Sequence, residues 1–365
     1  MQEGKMARDS QGHRTIRAAV MCGAGRPMTV KTLHIDAPRD EEVLVRIVAS
    51  GICRTDIDIW EAGGVEPAVL GHEGAGIVEE IGRAVTAVKP GDHVVLSYQS
   101  CGRCTACHAG HPTDCEHFWD LNFGFQRLDG SSAYAAAHVR GHFFGQSSFA
   151  THVLATERNI VKVSRSLPLD LLAPLGCGLQ TGAGTVINSF RVKAGQSLAV
   201  FGTGTVGLAA IMAARIVGAS PIIGVDIRPK RLALARELGA THVTDSRQTD
   251  VSKRIERICG KLNFAIDTTG DPALIAAGEA SLAPGGYLAV LAGGTDRELP
   301  ENRKVLAIIQ GDSVPQRFIP RLIRLWREGK FPFDRLIRFY PFEEINRAIA
   351  EVENGRTIKA VLRMN

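Results

Sequence analysis

The sequence is poor in aromatic residues and contains neither a long apolar run nor a block of like charges. Of its 365 residues only 6% are aromatic, and 43 basic residues are interspersed with 38 acidic ones. The net charge of +5 is therefore small and dispersed, so nucleic-acid or membrane binding is not indicated. The most apolar stretch, residues 198–226, is interrupted by Arg215 and by glycines. This pattern favours a buried unit of strands and helices over a membrane-spanning helix.

Residues 1–17 also lack the apolar segment of a signal peptide. We therefore expect a cytoplasmic, reducing compartment, in which clustered cysteines bind metal ions more often than they form disulfides. With 45% hydrophobic residues, the chain is long enough and apolar enough to build the cores of two domains.

Half of the eight cysteines fall between residues 101 and 115. Their spacing, Cys101-x2-Cys104-x2-Cys107-x7-Cys115, suits one tetrahedral zinc ion held by four thiolates. A disulfide cluster is one alternative. A zinc-containing nucleic-acid-binding module is another, but this loop carries little arginine or lysine, and we expect no nucleic-acid partner.

The pattern of apolar residues and turns changes after Pro174. The first half reads as short strands and turns, with strands at 43–48, 76–81 and 93–96 and an exposed loop at 124–142. The second half alternates predicted strands (196–201, 222–226, 242–244, 264–267, 286–291) with predicted helices (205–217, 229–238, 272–282), followed by an amphipathic helix at 315–329. This alternation predicts an α/β fold with a parallel, doubly wound sheet, and domain crossings near 180 and 320.

Residues 202–207 (GTGTVG) form a G-x-G-x-x-G motif between a predicted strand and a predicted helix. Gly202 would allow the tight turn, Gly204 would let the backbone approach a pyrophosphate, and Gly207 would let helix and strand pack closely. Thr205 and Val206 would open the helix, whose N-terminus favours phosphate groups.

The strand after this motif ends in Asp226. A carboxylate at this place can accept the ribose hydroxyls of NAD and would repel the 2′-phosphate of NADP. Arg228 and Arg231 follow and could soften this preference, with Arg231 close enough to be a cofactor ligand itself. The alternative is that the glycines merely pack and that Asp226 is a surface cap.

Cys53, His72 and Cys177 are candidate ligands of a second, catalytic zinc ion. Two thiolates and one imidazole with a vacant fourth position make such a site. Taken singly, each residue is ordinary, because a lone cysteine is usually a small buried apolar side chain. Their spacing alone leaves open whether they bind a catalytic zinc ion or are ordinary buried side chains.

From Ile16 to its C-terminus the chain resembles the zinc-dependent medium-chain alcohol dehydrogenases. The resemblance rests on residues 71–78 (GHEGAGIV), 89–92 (KPGD), 101–115 and 202–207, together with Cys177, in the expected order. It implies a GroES-like β-rich catalytic domain over residues 1–180 and a Rossmann NAD-binding domain over 181–320. Residues 321–365 would return to the catalytic domain.

The resemblance implies two zinc ions per subunit, one catalytic and one structural. The catalytic ion would be bound by Cys53, His72 and Cys177, and the structural ion by Cys101, Cys104, Cys107 and Cys115. Asp56 would hold His72, and Glu73 would reach the metal during ligand exchange. Cys22 and Cys259 match no motif and are expected to be buried thiols.

The resemblance also implies a path for the alcohol proton. Thr55 would take this proton, while zinc polarises the alcohol oxygen and NAD receives the hydride. The position of the usual relay histidine holds Asp58, which could act as the terminal base or leave the proton to water. Arg54 and Lys359 would contact the cofactor pyrophosphate.

Residues 311–316, 318–322 and 331–335 resemble the aryl-alcohol (benzyl alcohol) branch of the family. This branch oxidises aromatic and allylic primary alcohols, and some of its members take terpene alcohols such as geraniol. A glutathione-dependent formaldehyde dehydrogenase is the rival, and a relative that has lost its chemistry is disfavoured by the intact ligand set. Trp60, Tyr98 and Phe149 are candidate pocket residues, and a homodimer or homotetramer is expected.

Overall fold

The computed structural model describes residues 12–135, 138–292 and 302–364. Most of the polar N-terminal segment lies outside this part. Contacts divide the chain into two units. The first extends to Cys177 and includes Val314–Pro320 and the residues from Leu336 onward, and the second comprises Gly178–Ser313 and Arg321–Arg335. Residues 321–335, which the sequence assigned to the returning segment, thus pack within the second unit.

The strands of the described residues are numbered along the chain. They are β1 (Arg14–Met21), β2 (Thr29–Ile35), β3 (Glu42–Gly51), β4 (Ala68–Val69), β5 (Gly74–Ile81), β6 (His93–Leu96), β7 (His152–Thr156), β8 (Ile160–Val163), β9 (Leu198–Phe201), β10 (Ile222–Asp226), β11 (His242–Asp245), β12 (Leu262–Asp267), β13 (Leu282–Val290), β14 (Lys304–Leu306), β15 (Ile337–Pro341) and β16 (Lys359–Arg363).

The α-helices are numbered in the same way. They are α1 (Arg54–Ala62), α2 (Thr105–His108), α3 (Phe118–Phe123), α4 (Leu169–Leu172), α5 (Gly178–Gly184), α6 (Thr205–Ile216), α7 (Pro229–Leu238), α8 (Val251–Cys259), α9 (Pro272–Ser281), α10 (Pro315–Arg327) and α11 (Ile345–Glu353). In the described part of the chain, no helix has the length and hydropathy that crossing a bilayer would require.

The first unit is built from two sheets. Seven strands form a mixed sheet in the order β15-β16-β3-β5-β6-β8, with β7 paired to β3, and β2-β1-β4 form a three-stranded antiparallel sheet. Val43, Val45 and Ile47 alternate along β3 and point to one face, where they pack with Val94 and Leu96 of β6. The ends of β5 and β6 carry the loops that hold the candidate metal ligands.

The second unit contains a six-stranded sheet in the order β11-β10-β9-β12-β13-β14, and all its neighbouring strands are parallel. The chain builds outward from β9 in one direction and then, from β12, in the other. This order confirms the predicted doubly wound sheet. It creates a switch point beside β9, where such sheets bind ligands at the carboxyl ends of the strands.

The predicted strands and helices are present, with bounds shifted by a few residues. The sequence patterns did not single out α8, although Asp250 caps it by accepting from the Lys253 amide and Ile255 is buried. The expectation of an exposed loop over 124–142 was wrong for several of its described residues. Phe125, Tyr134 and Val139 are each 4% exposed, because this irregular segment covers part of the core.

Candidate active site

Cys53, His72 and Cys177 meet in the first unit although they are far apart in the sequence. Cys53 precedes α1, and His72 lies in the loop between β4 and β5. Their ligand atoms, together with a Glu73 oxygen, lie within 4.8 Å of one another. The Cys53 and Cys177 Sγ atoms are 3.9 Å apart, close to the separation of about 3.8 Å expected for two thiolates bound about 2.3 Å from one tetrahedral zinc ion.

His72 is oriented for metal binding by Asp56. The His72 Nδ1 atom lies 2.9 Å from Asp56 Oδ1, and Asp56 also accepts hydrogen bonds from the Cys53 and Gly71 amides. His72 Nε2 is buried and has no hydrogen-bond partner. A proton on Nδ1 leaves the Nε2 lone pair free, so the residues present fit a metal ion in this position.

The ligand cluster stabilises charged side chains. The hydrogen bond from Cys177 holds the pKa of the Cys53 thiol well below its usual value, against the opposing effect of burial, with His72 adding to the decrease. Burial lowers the pKa of His72, but Asp56 and Cys53 outweigh it and raise the pKa well above its usual value. Zinc would bind the thiolate of Cys53 and the neutral imidazole of His72, so its binding would release the proton that His72 carries in the metal-free cluster.

Glu73 forms a buried ion pair with Lys359. The Lys359 Nζ atom lies 2.9 and 3.0 Å from the two Glu73 carboxylate oxygens and donates to the Ile52 carbonyl oxygen at 2.9 Å. Burial raises the pKa of Glu73 to about 7, although Lys359 opposes this increase. Lys359 is 2% exposed, and its ammonium group has three acceptors within the protein; its contact with a pyrophosphate stays a prediction.

The remaining predicted residues of this site lie on α1. Thr55 Oγ1 is 3.9 Å from Cys53 Sγ, which places this hydroxyl beside a metal ligand. Asp58 is exposed and forms an ion pair with Arg54, which also pairs with Glu61. A surface carboxylate at Asp58 is open to bulk water, as a terminal base requires.

Cys101, Cys104, Cys107 and Cys115 form the second cluster, and their Sγ atoms lie within 4.8 Å of one another. The Cys101 and Cys107 sulfurs are 4.0 Å apart, far beyond a disulfide bond of about 2.05 Å. All eight cysteines are free, which removes the disulfide alternative. Burial raises the pKa of the Cys115 thiol to about 12, although its sulfur accepts a hydrogen bond from the Cys101 amide that opposes this increase. Four protein ligands leave no position for a substrate, so this site is structural.

Two phenylalanines that the sequence analysis did not select pack against His72. The Phe144 ring stacks on the imidazole at a centroid distance of 4.4 Å, and the Phe143 ring meets it edge-on at 5.2 Å. Phe144 has φ 52°, in the left-handed region, and so does His142 with φ 59°. Such backbone strain persists where surrounding contacts hold it and is frequent at functional sites. The only sequence feature that could have indicated these two phenylalanines is the segment HFFG at 142–145.

Gln146 is a second residue that sequence reasoning missed. Its side chain is 2% exposed. It accepts a hydrogen bond from the Gly74 amide and donates to the carbonyl oxygens of His72 and Ser97. These bonds hold the backbone on both sides of Glu73, so Gln146 positions two candidate ligands without touching the metal position.

Two of the three pocket candidates named from the sequence, Tyr98 and Phe149, are buried. Tyr98 is 1% exposed and Phe149 is fully buried, so both belong to the core. Trp60 is half-buried and donates its indole N–H to the Arg26 carbonyl oxygen. Cys22, expected to be buried, is exposed, and Cys259 is half-buried.

The glycine motif in the second unit has the predicted geometry. Gly202 adopts φ 87°, which only glycine tolerates readily. A Cβ on Gly207 would lie 1.9 Å from the Gly202 carbonyl oxygen, so the helix and the loop are in close contact. A Cβ on Gly204 would meet only Arg231 Nη1 at 4.0 Å. The open space at Gly204, beside the N-terminus of α6 formed by Thr205 and Val206, fits a pyrophosphate.

Asp226 lies at the end of β10, as predicted, and also holds the glycine loop. Its Oδ2 atom accepts hydrogen bonds from the Thr203 amide and hydroxyl, and Oδ1 accepts one from the Arg228 amide. Because a carboxylate has about four acceptor positions, little capacity remains for a ribose. The Arg231 Nε atom is buried without a partner, and burial lowers the pKa of this guanidinium.

Comparison with known proteins agrees with these two sites. Residues 39–165 match the alcohol dehydrogenase GroES-like domain, and residues 205–316 match the zinc-binding dehydrogenase family. The chain is 45% identical to a geraniol dehydrogenase of Castellaniella defragrans, over 97% of this chain and 99% of the relative. It is 33% identical to a probable S-(hydroxymethyl)glutathione dehydrogenase of Schizosaccharomyces pombe, over 96% of this chain and 97% of the relative.

Solved structures show the same relationship. The benzyl alcohol dehydrogenase of Acinetobacter calcoaceticus superposes with a TM-score of 0.92 at 43% identity, covering 96% of this chain and all of that one (100%). An alcohol dehydrogenase zinc-binding domain protein of Burkholderia ambifaria superposes with a TM-score of 0.93 at 48% identity, covering 97% of this chain and 100% of that one.

The chain therefore belongs to the zinc-dependent medium-chain alcohol dehydrogenase family. Its fold is the expected combination of a GroES-like domain and a Rossmann-type parallel sheet. Its cofactors are zinc and NAD, as predicted, and the two cysteine-containing clusters are the groups of side chains that can hold the zinc ions.

Proposed function

We propose that this enzyme oxidises primary alcohols whose hydroxyl-bearing carbon is bonded to an aromatic ring or a carbon–carbon double bond. The products are the conjugated aldehydes, and the reaction is reversible. Benzyl alcohol represents the aromatic class, and geraniol represents the allylic class. Conjugation stabilises both aldehydes and flattens the carbon skeleton next to the reacting carbon.

The observation that carries this proposal is the pair of phenylalanines against His72. Phe144 stacks on the imidazole and Phe143 meets its edge, and both rings are buried, so the surroundings of this metal ligand are apolar and aromatic. Apolar surroundings favour an uncharged hydrocarbon substrate over a charged one. The geraniol and benzyl alcohol dehydrogenases among the relatives support the same substrate class.

The residues of the first unit have separate tasks in this reaction. Zinc, when bound by Cys53, His72 and Cys177, supplies a Lewis acid that lowers the pKa of the alcohol hydroxyl, and NAD accepts the hydride. Asp56 holds His72 in the tautomer that presents Nε2. The Thr55 hydroxyl lies beside Cys53. It accepts the proton of the alcohol and at the same time donates its own proton to the next group of the path.

Asp58 is proposed as the terminal base of this path, because its carboxylate is exposed and lies on the same helix as Thr55. Replacing Asp58 by Asn should lower the rate by at most about 100-fold, since water can partly take its place. The test is the pH–rate profile of Asp58→Asn, with Glu61→Gln as a matched control on the same helix. An unchanged rate and profile would show that the proton leaves through water alone.

A glutathione-dependent formaldehyde dehydrogenase is the competing function, supported by the relative from Schizosaccharomyces pombe. That activity needs cations for the glutathione carboxylates. Lys359 lies beside the metal ligands, but its ammonium group is enclosed and bound to Glu73. This arrangement favours an uncharged hydrophobic alcohol.

We also propose that NAD is preferred over NADP, with small alcohols and aldehydes as the partners and neither nucleic acid nor membrane. Asp226 supports this preference, because its negative charge repels a 2′-phosphate, while Arg231 acts against it. A homodimer or homotetramer in the cytoplasm is expected, with pairing through an edge of the six-stranded sheet, whose outer strands in the described residues are β11 and β14. Light scattering of the purified enzyme measures the oligomer.

The decisive experiment measures NADH formation with benzyl alcohol, geraniol, ethanol and S-(hydroxymethyl)glutathione, with NAD and NADP in parallel. We expect kcat/KM to be highest for benzyl alcohol or geraniol with NAD. A preference for S-(hydroxymethyl)glutathione or ethanol would contradict the proposal. Metal analysis of the same preparation should find two zinc ions per chain.

A further inference from the structure

We infer that Thr203, the second residue of the glycine motif, determines how strictly the enzyme distinguishes NAD from NADP. Its hydroxyl group occupies an acceptor position of Asp226 that the ribose of NAD would otherwise use. The enzyme therefore discriminates less between the two cofactors than it would with a fully available carboxylate at this place. This inference rests on the NAD preference proposed above and names the residue that limits it.

The Thr203 side chain is fixed so that its hydroxyl group faces Asp226. Thr203 is fully buried in the turn between β9 and α6. A Cβ placed on Gly224 of β10 would lie 3.4 Å from the Thr203 methyl carbon, so this methyl group packs over a strand residue that has no side chain. Because the methyl and hydroxyl groups of a threonine share one χ1 angle, the methyl contact directs the hydroxyl. The hydroxyl donates a hydrogen bond of 2.9 Å to Asp226 Oδ2.

Asp226 retains one acceptor position for the two hydroxyl groups of an adenosine ribose. A carboxylate has about four acceptor positions, shared equally between its oxygens. The Thr203 amide, at 2.7 Å, and the Thr203 hydroxyl, at 2.9 Å, occupy both positions on Oδ2. The Arg228 amide, at 2.9 Å, occupies one position on Oδ1. The 2′- and 3′-hydroxyl groups therefore compete for the position that remains, which removes part of the advantage that a carboxylate gives to NAD.

Two arginines reduce the repulsion that Asp226 exerts on a 2′-phosphate. Arg231 lies on α7, and its Nη1 atom is 4.0 Å from the place that a Cβ on Gly204 would occupy. Burial lowers the pKa of this guanidinium, while Asp226 raises the pKa and Arg228 lowers it, so the three charges interact. Guanidinium groups bind phosphate groups strongly. The position of Arg231 beside the glycine motif thus favours a phosphorylated ribose as well as the pyrophosphate.

Removal of the Thr203 hydroxyl should leave the Asp226 carboxylate in place. The other two donors to this carboxylate are backbone amides, which are present with any side chain at position 203. Asp226 also ends a strand that is paired with β9 on one side and β11 on the other. The loss of the hydroxyl therefore frees one acceptor position on Oδ2 for the ribose without moving the carboxylate.

The test measures the binding of NADH and NADPH to the full-length, zinc-loaded enzyme through the fluorescence of the reduced nicotinamide, with no alcohol present. Thr203→Val replaces the hydroxyl by a methyl group of similar size. We expect the ratio of the Kd for NADPH to the Kd for NADH to rise about tenfold, the effect of one recovered hydrogen bond to a charged acceptor. Thr203→Ser keeps the hydroxyl and should keep the wild-type ratio within about twofold.

Three further variants separate the hydroxyl from a general structural effect. Thr244→Val, on β11, removes a buried hydroxyl that has no hydrogen-bond partner and should leave the ratio unchanged. In an Asp226→Ser background, Thr203→Val should no longer change the ratio, because the carboxylate that the hydroxyl occupies is missing. A purely structural role of Thr203 would not depend on Asp226 in this way. Thr203→Ala removes the same hydroxyl and takes the place of Thr203→Val if that variant does not fold.

The outcomes distinguish this inference from the proposed function. An unchanged ratio in folded Thr203→Val or Thr203→Ala would overturn the inference, and so would an equal rise in Thr203→Ser. Neither result bears on the alcohol substrate, because the titrations contain none. Tighter binding of NADPH than of NADH by the wild type would contradict the proposed NAD preference, while the change between wild type and variants would still decide the role of Thr203.

Discussion

Single side chains control whether the catalytic zinc is retained. Asp56 illustrates this, because one carboxylate fixes the tautomer of His72 and accepts the amides of Cys53 and Gly71. We predict that Asp56→Asn lowers affinity for the catalytic zinc by about 10–100-fold, since the amide nitrogen in place of Oδ2 cannot accept the hydrogen bond of the Cys53 amide. Metal analysis after dialysis against a mild chelator should find the structural zinc retained and the catalytic zinc depleted. Wild-type zinc content in the variant would refute this role.

The Glu73–Lys359 pair gives a second prediction at this scale. Lys359→Met removes one partner of a fully buried ion pair and leaves Glu73 without its charge partner. We expect a loss of about 3–5 kcal/mol in the free energy of unfolding, measured in urea. The double variant Glu73→Gln/Lys359→Met removes both charges and should recover most of this loss. Equal stability of the single variant and the wild type would contradict the proposed pairing.

At the level of elements, short irregular segments carry the site, and regular sheets support them. Residues 142–147, between α3 and β7, deliver Phe143 and Phe144 to His72, and Gln146 ties this segment to Gly74 at the start of β5. His142, Phe144 and Ser147 all have positive φ in this segment. Periodicity does not encode such conformations, because each depends on contacts with other elements.

The structural zinc loop allows an element-scale prediction. Cys104→Ser removes one of four ligands and should release the structural zinc while the catalytic zinc remains. We expect the free energy of unfolding to fall by about 4 kcal/mol or more, as is typical when a structural metal is lost. Cys22→Ser, at an exposed thiol, is the matched control and should change neither zinc content nor stability.

The whole molecule should lose stability in weak acid, in part through His142. Burial, aided by Arg127 and Arg39 and opposed by Glu42 and Asp129, lowers the pKa of His142 to about 4. The unfolded chain binds this proton below about pH 6.5, and the folded chain does not. The folded state is therefore stabilised as pH rises from about 4 to 6.5, and this stability is lost as pH falls through the same window.

The measurement is urea unfolding at pH 4.5 and 6.5 for the wild type and for His142→Asn, which keeps a residue that tolerates positive φ. The variant should show a smaller difference in the free energy of unfolding between the two pH values, by about 2 kcal/mol. His138→Asn, at an exposed histidine, is the control. An identical pH dependence in wild type and His142→Asn would show that His142 is not responsible.

Much of the site could be predicted where chemistry is local. The four-cysteine spacing predicted a metal cluster, and the glycine motif predicted a tight turn followed by a helix; both are confirmed by the geometry. Cys53, His72 and Cys177 needed the family resemblance, because their spacing carries no period. The prediction of Tyr98 and Phe149 as pocket residues was wrong, since the presence of an aromatic side chain does not by itself distinguish a ring in the core from a ring that lines a pocket.

The sequence by itself determined which types of side chain bind the metal ions, the parallel sheet of the second unit and the class of cofactor. These features depend on residue type, on hydrophobic period and on motifs a few residues long, all of which are local. The tertiary structure alone decided that Lys359 pairs with Glu73, 286 positions away, and that Phe144 rather than Phe149 faces His72. Such contacts are selected by packing and by the cost of leaving a buried charge unpaired, which act between elements distant in the chain.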